Sequence, residues 1–315
     1  ADIATSADQA YSVFAADMDG DGDMDIVSAS QIDDTIAWYE NSRGYTPTDI
    51  SLSSTELNEN LASGTTVGTL SSTDIGISDA HTTSETHTYT LISGAGDTHN
   101  SSFSISGNNL ITNAAFNYES QSSYSIRSKT ADGTFLTYEE AITITVVNVN
   151  EAPVITSNSG GATASISVNE NISAITTITS TDVDASSTAT YSISGTDADD
   201  FTIDSSSGVL TFTSSPNFEV PTDSDENNTY IVDIIVTDNG ALTDSQTITI
   251  TVVDVNEVPL ISGTDYNTSV SENMGTQITI SYSDQDANST VVFSKSGEDA
   301  DDFTLDSSSG VLTFT

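Results

Sequence analysis

The sequence predicts an all-β chain of tandem Greek-key sandwiches, and three observations carry that expectation. Segments such as Ala141–Val147 and Thr247–Val253 alternate apolar and polar residues with the period of two that a half-buried strand requires. Ser and Thr fill 99 of the 315 positions, a composition poor in helix formers and rich in strand and turn formers. A unit also recurs: Asp197–Thr213 and Asp299–Thr315 match at an offset of 102, differing only at Ile203 against Leu305. Units of about a hundred residues are whole domains rather than solenoid turns.

Charge narrows the partners. With 47 acidic and 4 basic residues the formal net charge is −43. Such a surface repels nucleic-acid phosphates and anionic lipid, because both are bound through Lys and Arg. Self-repulsion of this size calls for a counter-ion, and Ca²⁺ is the oxygen-seeking cation available outside cells. There is no cysteine, so each domain depends on its own core or on metal. No apolar run is long enough to insert in a membrane as a helix.

Residues 1–46 stand apart. Asp17, Asp19, Asp21 and Asp25 occupy positions 1, 3, 5 and 9 of a loop with Gly22 at position 6 and Asp23 at position 7. This spacing wraps one Ca²⁺ through carboxylates and a backbone carbonyl, although the Glu at position 12 and the helical flanks of an EF-hand are missing. With Ser12–Ala16 before it, Ile26–Ser30 after it and Ile36–Glu40 next, the segment resembles one blade of an FG-GAP or VCBS type β-propeller. Trp38 and Tyr39 could stack on a sugar, but a place in the blade core is the plainer reading.

Downstream, boundaries fall at Pro47, Pro153 and Pro259, giving repeats over 47–152, 153–258 and an incomplete 259–315. Shorter strands are expected at Tyr191–Ser194, Phe201–Ile203 and Val209–Thr213, separated by Ser-Gly, Asp-Asp and Ser-Ser-Gly turns. Three acidic features recur: an early Glu (Glu59, Glu170, Glu272), a late Glu (Glu119, Glu219), and an exit cluster (Asn148, Asn150, Glu151; Asp254, Asn256, Glu257). The following unit then opens with Asp182-Val-Asp184 or Asp284-Gln-Asp286. Two carboxylates two residues apart on a loop can face one ion.

From Pro47 onward these motifs, in this order, resemble tandem cadherin-type repeats of the kind found in large secreted bacterial proteins and in animal adhesion molecules. The resemblance implies cadherin or immunoglobulin-like sandwiches with ions at the junctions. At the first junction it implies Glu59, Glu119, Asn150, Glu151, Asp182, Asp184 and Asp238 as ligands. At the second it implies Glu170, Glu219, Asp254, Asn256, Glu257, Asp284 and Asp286. Asn148 stands where the family's exit motif begins with Asp, and Asn117 and Asn217 replace the Asp of its Asp-Arg-Glu. Asp74-Ile-Gly76 lacks the second Asp, so a metal-poor joint is expected ahead of the first repeat.

No Gly-x-Ser-x-Gly elbow, phosphate loop or Rossmann glycine pattern is present, so a non-enzyme is expected. His81, His87 and His99 match no zinc spacing. The sequons at Asn100, Asn171, Asn227, Asn267 and Asn288 mark at most a surface able to carry sugar. The expected protein is an extracellular, Ca²⁺-rigidified stalk or fibre of an adhesin or filament, with calcium, and further copies of itself, as partners. The alternative is a carbohydrate-binding accessory module of a larger secreted protein, with cell-surface glycans as partners. Because Thr315 lies where Thr213 lies in the preceding unit, the chain is expected to continue or to be completed by neighbouring copies.

Overall fold

The computed structural model describes residues 10–18, 24–30, 36–39, 46–74, 86–133, 136–262, 269, 275 and 277–315. The chain divides into two compact units, Ala1–Val149 and Asn150–Thr315. Among the described residues every regular element is a strand or a short 3₁₀ turn.

Unit 1 begins with β1 (Ala10–Ala16), β2 (Asp25–Ser30) and β3 (Ile36–Tyr39), an antiparallel three-stranded sheet in the order β1-β2-β3. Then follow β4 (Ser51–Leu52), β5 (Glu56–Asn58), β6 (Thr66–Ser71), β7 (Thr88–Leu91), β8 (Phe103–Ser106), β9 (Asn109–Thr112), β10 (Ser123–Ala131) and β11 (Thr137–Val147). These make two sheets, β4-β6-β9-β8 and β5-β11-β10-β7, with β5 parallel to β11. Alternation decides which side chains face inward. Along β11, Ile142, Ile144 and Val146 are buried while the threonines between them face out, and they meet Leu70, Phe103 and Leu110 of the other sheet in one core. Tyr124 closes it edge-on to Phe103.

Unit 2 repeats this plan. It contains β12 (Val154–Ile155), β13 (Thr163–Asn169), β14 (Ala174–Thr177), β15 (Ser180–Thr181), β16 (Thr190–Ser194), β17 (Phe201–Ile203), β18 (Val209–Phe212), β19 (Thr229–Thr237) and β20 (Thr243–Val253). The sheet β13-β20-β19-β16, with β13 parallel to β20, faces β14-β18-β17. Ile234, Ile248 and Ile250 are fully buried against Phe201, Leu210 and Phe212. The expected strand Thr247–Val253 is the second half of β20, which starts four residues earlier.

Beyond it come β21 (Leu260–Ile261), β22 (Gln277–Thr279), β23 (Tyr282–Ser283), β24 (Phe303–Leu305) and β25 (Val311–Phe314), paired as β21-β23 and β22-β25-β24. The repeated Asp-Ser-Ser-Ser-Gly turn joins β17 to β18 and β24 to β25. Oδ1 of Asp204 accepts the N–H groups of Ser206 and Ser207 at 3.1 and 2.7 Å, and Gly208 takes φ +70° with the Ile178 carbonyl where a Cβ would stand. Only glycine fits there.

Candidate metal centre

The geometry begins with one glutamate per repeat. Where β13 ends, Glu170 turns inward and is 2% exposed. Its Oε2 accepts the N–H of Phe218 at 3.0 Å and its Oε1 the N–H of Val255 at 2.9 Å, so one carboxylate pins the late-Glu turn and the exit segment together. Unit 1 repeats the arrangement: Glu59, also 2% exposed, accepts from Tyr118 at 2.8 Å and Val149 at 2.9 Å. Each carboxylate has two oxygens and further lone pairs, so accepting two N–H groups leaves capacity for a cation.

Glu170 gathers the rest of the unit 2 set. Carboxylate oxygens of Glu170, Glu219 and Glu257 lie within 4.8 Å of one another, and so do those of Glu219, Asp254 and Asp286. Oxygens bound at about 2.3–2.6 Å to a shared Ca²⁺ sit at such separations. Oε2 of Glu219 and Oε2 of Glu257 are buried with no hydrogen-bond partner among the described residues. Leaving a charged acceptor unsatisfied out of water is costly. All donors are hard oxygens, the set that selects Ca²⁺ over softer metals. Lys295 is the one basic residue between 150 and 315, and its Nζ donates to the carbonyls of Ala300 and Phe303.

The titration behaviour follows. Desolvation, with the charges of Glu170, Asp254 and Asp286, raises the Glu219 carboxyl above the ordinary range. Asp254 is raised by desolvation and by Asp286 and Glu170. Glu257 is raised mainly by desolvation and by Glu170, against the lowering pull of Asn171, whose Nδ2 donates to Oε1 at 2.7 Å.

The other expected residues are placed as follows. Asp284 lies beside Asp286 but spends its oxygens locally, accepting Asp286 N–H at 3.2 Å and the Ser289 hydroxyl at 2.6 Å. The Asn256 amide donates to the Glu257 carbonyl at 2.9 Å. At the start of unit 2, Asn150 Nδ2 donates to Asp238 Oδ2 at 2.7 Å, and Glu151 N–H to Asp184 Oδ2 at 2.9 Å. Asp182 mirrors Asp284, accepting Asp184 N–H at 3.0 Å and the Ser187 hydroxyl at 2.6 Å. Burial would raise Asp238, but the Asn150 amide and the N–H groups of Leu242, Gly240 and Ala241 outweigh it and hold the carboxyl low. In unit 1 Glu119 is exposed. Asp25 is fully buried and its Oδ2 accepts Met18 N–H at 2.9 Å, while Asp17 is exposed. Asp19, Asp21, Asp23 and Glu272 lie outside the described residues.

Two features escaped the sequence reading. Asn171 and Asn217 act as donors, Asn217 Nδ2 reaching Gln285 Oε1 at 2.9 Å, and the recurring Asn-Glu-Asn was the available signal for the first. Asp197 and Asp223 are buried acids satisfied by backbone: Asp197 accepts from Ser224 and Ile231, and Asp223 from Asn227 and Asn228.

Residues 164–253 match the sequence profile of the Cadherin domain. That segment is a cadherin-like domain. Among solved structures, human CDH23 EC21-23 resembles the chain at a TM-score of 0.55 and 16% identity, over 82% of this chain and 86% of that one. Mouse Cadherin-23 EC22-24 resembles it at 0.53 and 22% identity, over 86% and 88%. At these identities the likeness is one of fold. No curated protein matches the chain by sequence.

Proposed function

We propose that this is a secreted or cell-surface structural protein whose cadherin-like repeats are stiffened by Ca²⁺, serving as the stalk or fibre of an adhesin and having no catalytic role. The observation that carries the reading is the unit 2 carboxylate set, with two buried oxygens that no described residue satisfies. Ca²⁺, when bound, supplies the positive charge that lets these carboxylates approach.

The chain's own residues do the rest. Glu170 holds the exit segment and the late-Glu turn in place through Val255 and Phe218. Glu257 and Asn217 tie that end to the next opening loop through Asp286 and Gln285. Without a cation, opposed charges push these segments apart. We assign the same ligand role to Glu59, Glu119, Asn150, Glu151, Asp182, Asp184 and Asp238 from the recurrence of the motifs in sequence, and to the Asp17–Asp25 loop from its spacing. Extracellular modules of this chemistry bind Ca²⁺ at about 10⁻⁴–10⁻³ M, which suits a site loaded outside cells.

Small-angle scattering tests the proposal. With millimolar Ca²⁺ the distance distribution should be narrow and extended, and in EDTA it should broaden. Identical profiles in both conditions would contradict stiffening by cation.

A further inference from the structure

Unit 1 buries polar atoms where unit 2 is apolar. On β10, Ser128 pairs with Leu91 and Glu140, and Thr130 pairs with Tyr89 and Tyr138. On β19, Ile234 pairs with Ile193 and Gln246, and Val236 pairs with Tyr191 and Asp244. Ser128 and Thr130 therefore hold the places of Ile234 and Val236, and all four are fully buried. Ser128 and Thr130 follow the buried Ile126 at every second position, so both hydroxyls point into the sandwich next to its apolar core.

Ser128 Oγ and Thr130 Oγ1 have no hydrogen-bond partner among the described residues, nor does the buried Oγ of Ser72. Ser72-Thr73-Asp74 corresponds to Ser180-Thr181-Asp182, where Ser180 Oγ lies 2.9 Å from the Tyr191 hydroxyl. Enclosing a hydroxyl without a partner is costly, and native cores answer such groups with protein atoms or ordered water. Ser128 has two side-chain atoms fewer than Ile234, while Leu91 and Glu140 beside it match Ile193 and Gln246 in size. The difference is roughly the room that one water needs. An acceptor is also at hand, because Glu140 Oε2 takes the Ile50 N–H at 3.1 Å and the carboxylate has further lone pairs.

We propose that the core of unit 1 contains an internal water site that unit 2 lacks, in which ordered water bridges the Ser128 and Thr130 hydroxyls and donates to the Glu140 carboxylate. The lining selects the occupant. An apolar guest would leave the hydroxyls unbonded, whereas a water offers two donors and two acceptors and is held by two to four polar partners. Ca²⁺ needs six to eight oxygens with several charged, and two of the three groups here are neutral hydroxyls. Unit 2 meets the same position with Ile234 and Val236, which bury no polar side-chain atom and need no solvent. The inference stands apart from the calcium reading of the carboxylate set in unit 2.

A high-resolution crystal structure of the full chain, grown with Ca²⁺, tests the site without any substitution. The expected result is a solvent peak about 2.6–3.0 Å from both Ser128 Oγ and Thr130 Oγ1. Empty density there would overturn the proposal, and so would a peak ringed by oxygens at about 2.3–2.6 Å, which marks Ca²⁺. Magnetic relaxation dispersion of the water oxygen reads the same site in solution, where an enclosed water is long-lived and adds to the dispersion amplitude. Ser128→Ile combined with Thr130→Val rebuilds the unit 2 pattern and should lower that amplitude by at least one water. An amplitude equal to that of the native chain in the folded double variant would overturn the proposal.

Discussion

The backbone N–H of Glu257 donates to Oδ2 of Asp286 at 2.8 Å, tying the segment after β20 to the loop after β23. The other oxygen-rich contacts of Asp286 are with Glu219 and Asp254, its partners in the carboxylate set. One aspartate thus serves as a backbone acceptor and as a member of a charge cluster that has no basic neighbour among the described residues. The first role holds the loop; the second is the one through which the proposed calcium binding would act.

Glu219→Gln separates repulsion from ligation. The change removes one charge and relieves the desolvation of a buried oxygen, so the melting temperature of unit 2 in EDTA should rise. The same change should weaken Ca²⁺ binding about tenfold or more, since affinity of such sites follows ligand charge. Thermal melts with and without Ca²⁺ check both signs, and a fall in EDTA would count against the crowding argument.

Acidification should stabilise the cation-free protein. Glu219, Asp254 and Glu257 all have raised folded-state carboxyl ranges, so repulsion is present above those ranges and relieved as pH falls through them. In EDTA, stability of unit 2 should increase from pH 7 toward pH 5. In saturating Ca²⁺ the order should reverse, because protons then compete with the ion. Chemical denaturation at three pH values reads both trends.

Much of this was legible in the sequence. Ile-Thr-Ile-Thr in Ala141–Val147 and Thr247–Val253 announced strands whose inward faces are now Ile142 and Ile144, and Ile248 and Ile250. The parallel pairing of β13 with β20 was not, since residues 80 or more apart carry no periodic sign of which edge they join. Among site residues, the sequence placed Glu170, Glu219, Asp254, Glu257 and Asp286 in one group, and the structure gathers their oxygens. What it could not show is that Asp284 turns both oxygens to Ser289 and the Asp286 N–H, or that Asn171 braces Glu257. Those depend on side-chain direction at turns, which motif spacing does not encode.

Core packing gives a prediction independent of metal. Ile250 is fully buried on the central strand β20, so Ile250→Ala should destabilise unit 2 by about 2–5 kcal/mol. Val258 is 87% exposed, and Val258→Ala should stay within about 0.5 kcal/mol. Denaturant titrations of both variants distinguish a core from a surface position, and similar losses would undermine the assigned strand register.

The Asp-Ser-Ser-Ser-Gly turn makes a narrower claim. Hydrogen bonds from Ser207 and Ser206 hold the Asp204 carboxyl down to about 2, so it should remain ionised through the pH range in which exposed carboxylates protonate. Carbon-detected NMR titration of the side chain reads its midpoint directly. Ser207→Ala should move that midpoint up toward the ordinary aspartate value, and no movement would show that the turn does not control it.

Calorimetric titration of Ca²⁺ into the full chain, beside a Glu219→Gln, Asp286→Asn double variant, tests the central claim most directly. The account predicts that the native chain binds more Ca²⁺ than the variant, with the missing heat belonging to the unit 2 carboxylate set and the remaining isotherm unchanged. Superimposable isotherms from the two proteins would show that these carboxylates hold no calcium and would contradict the account.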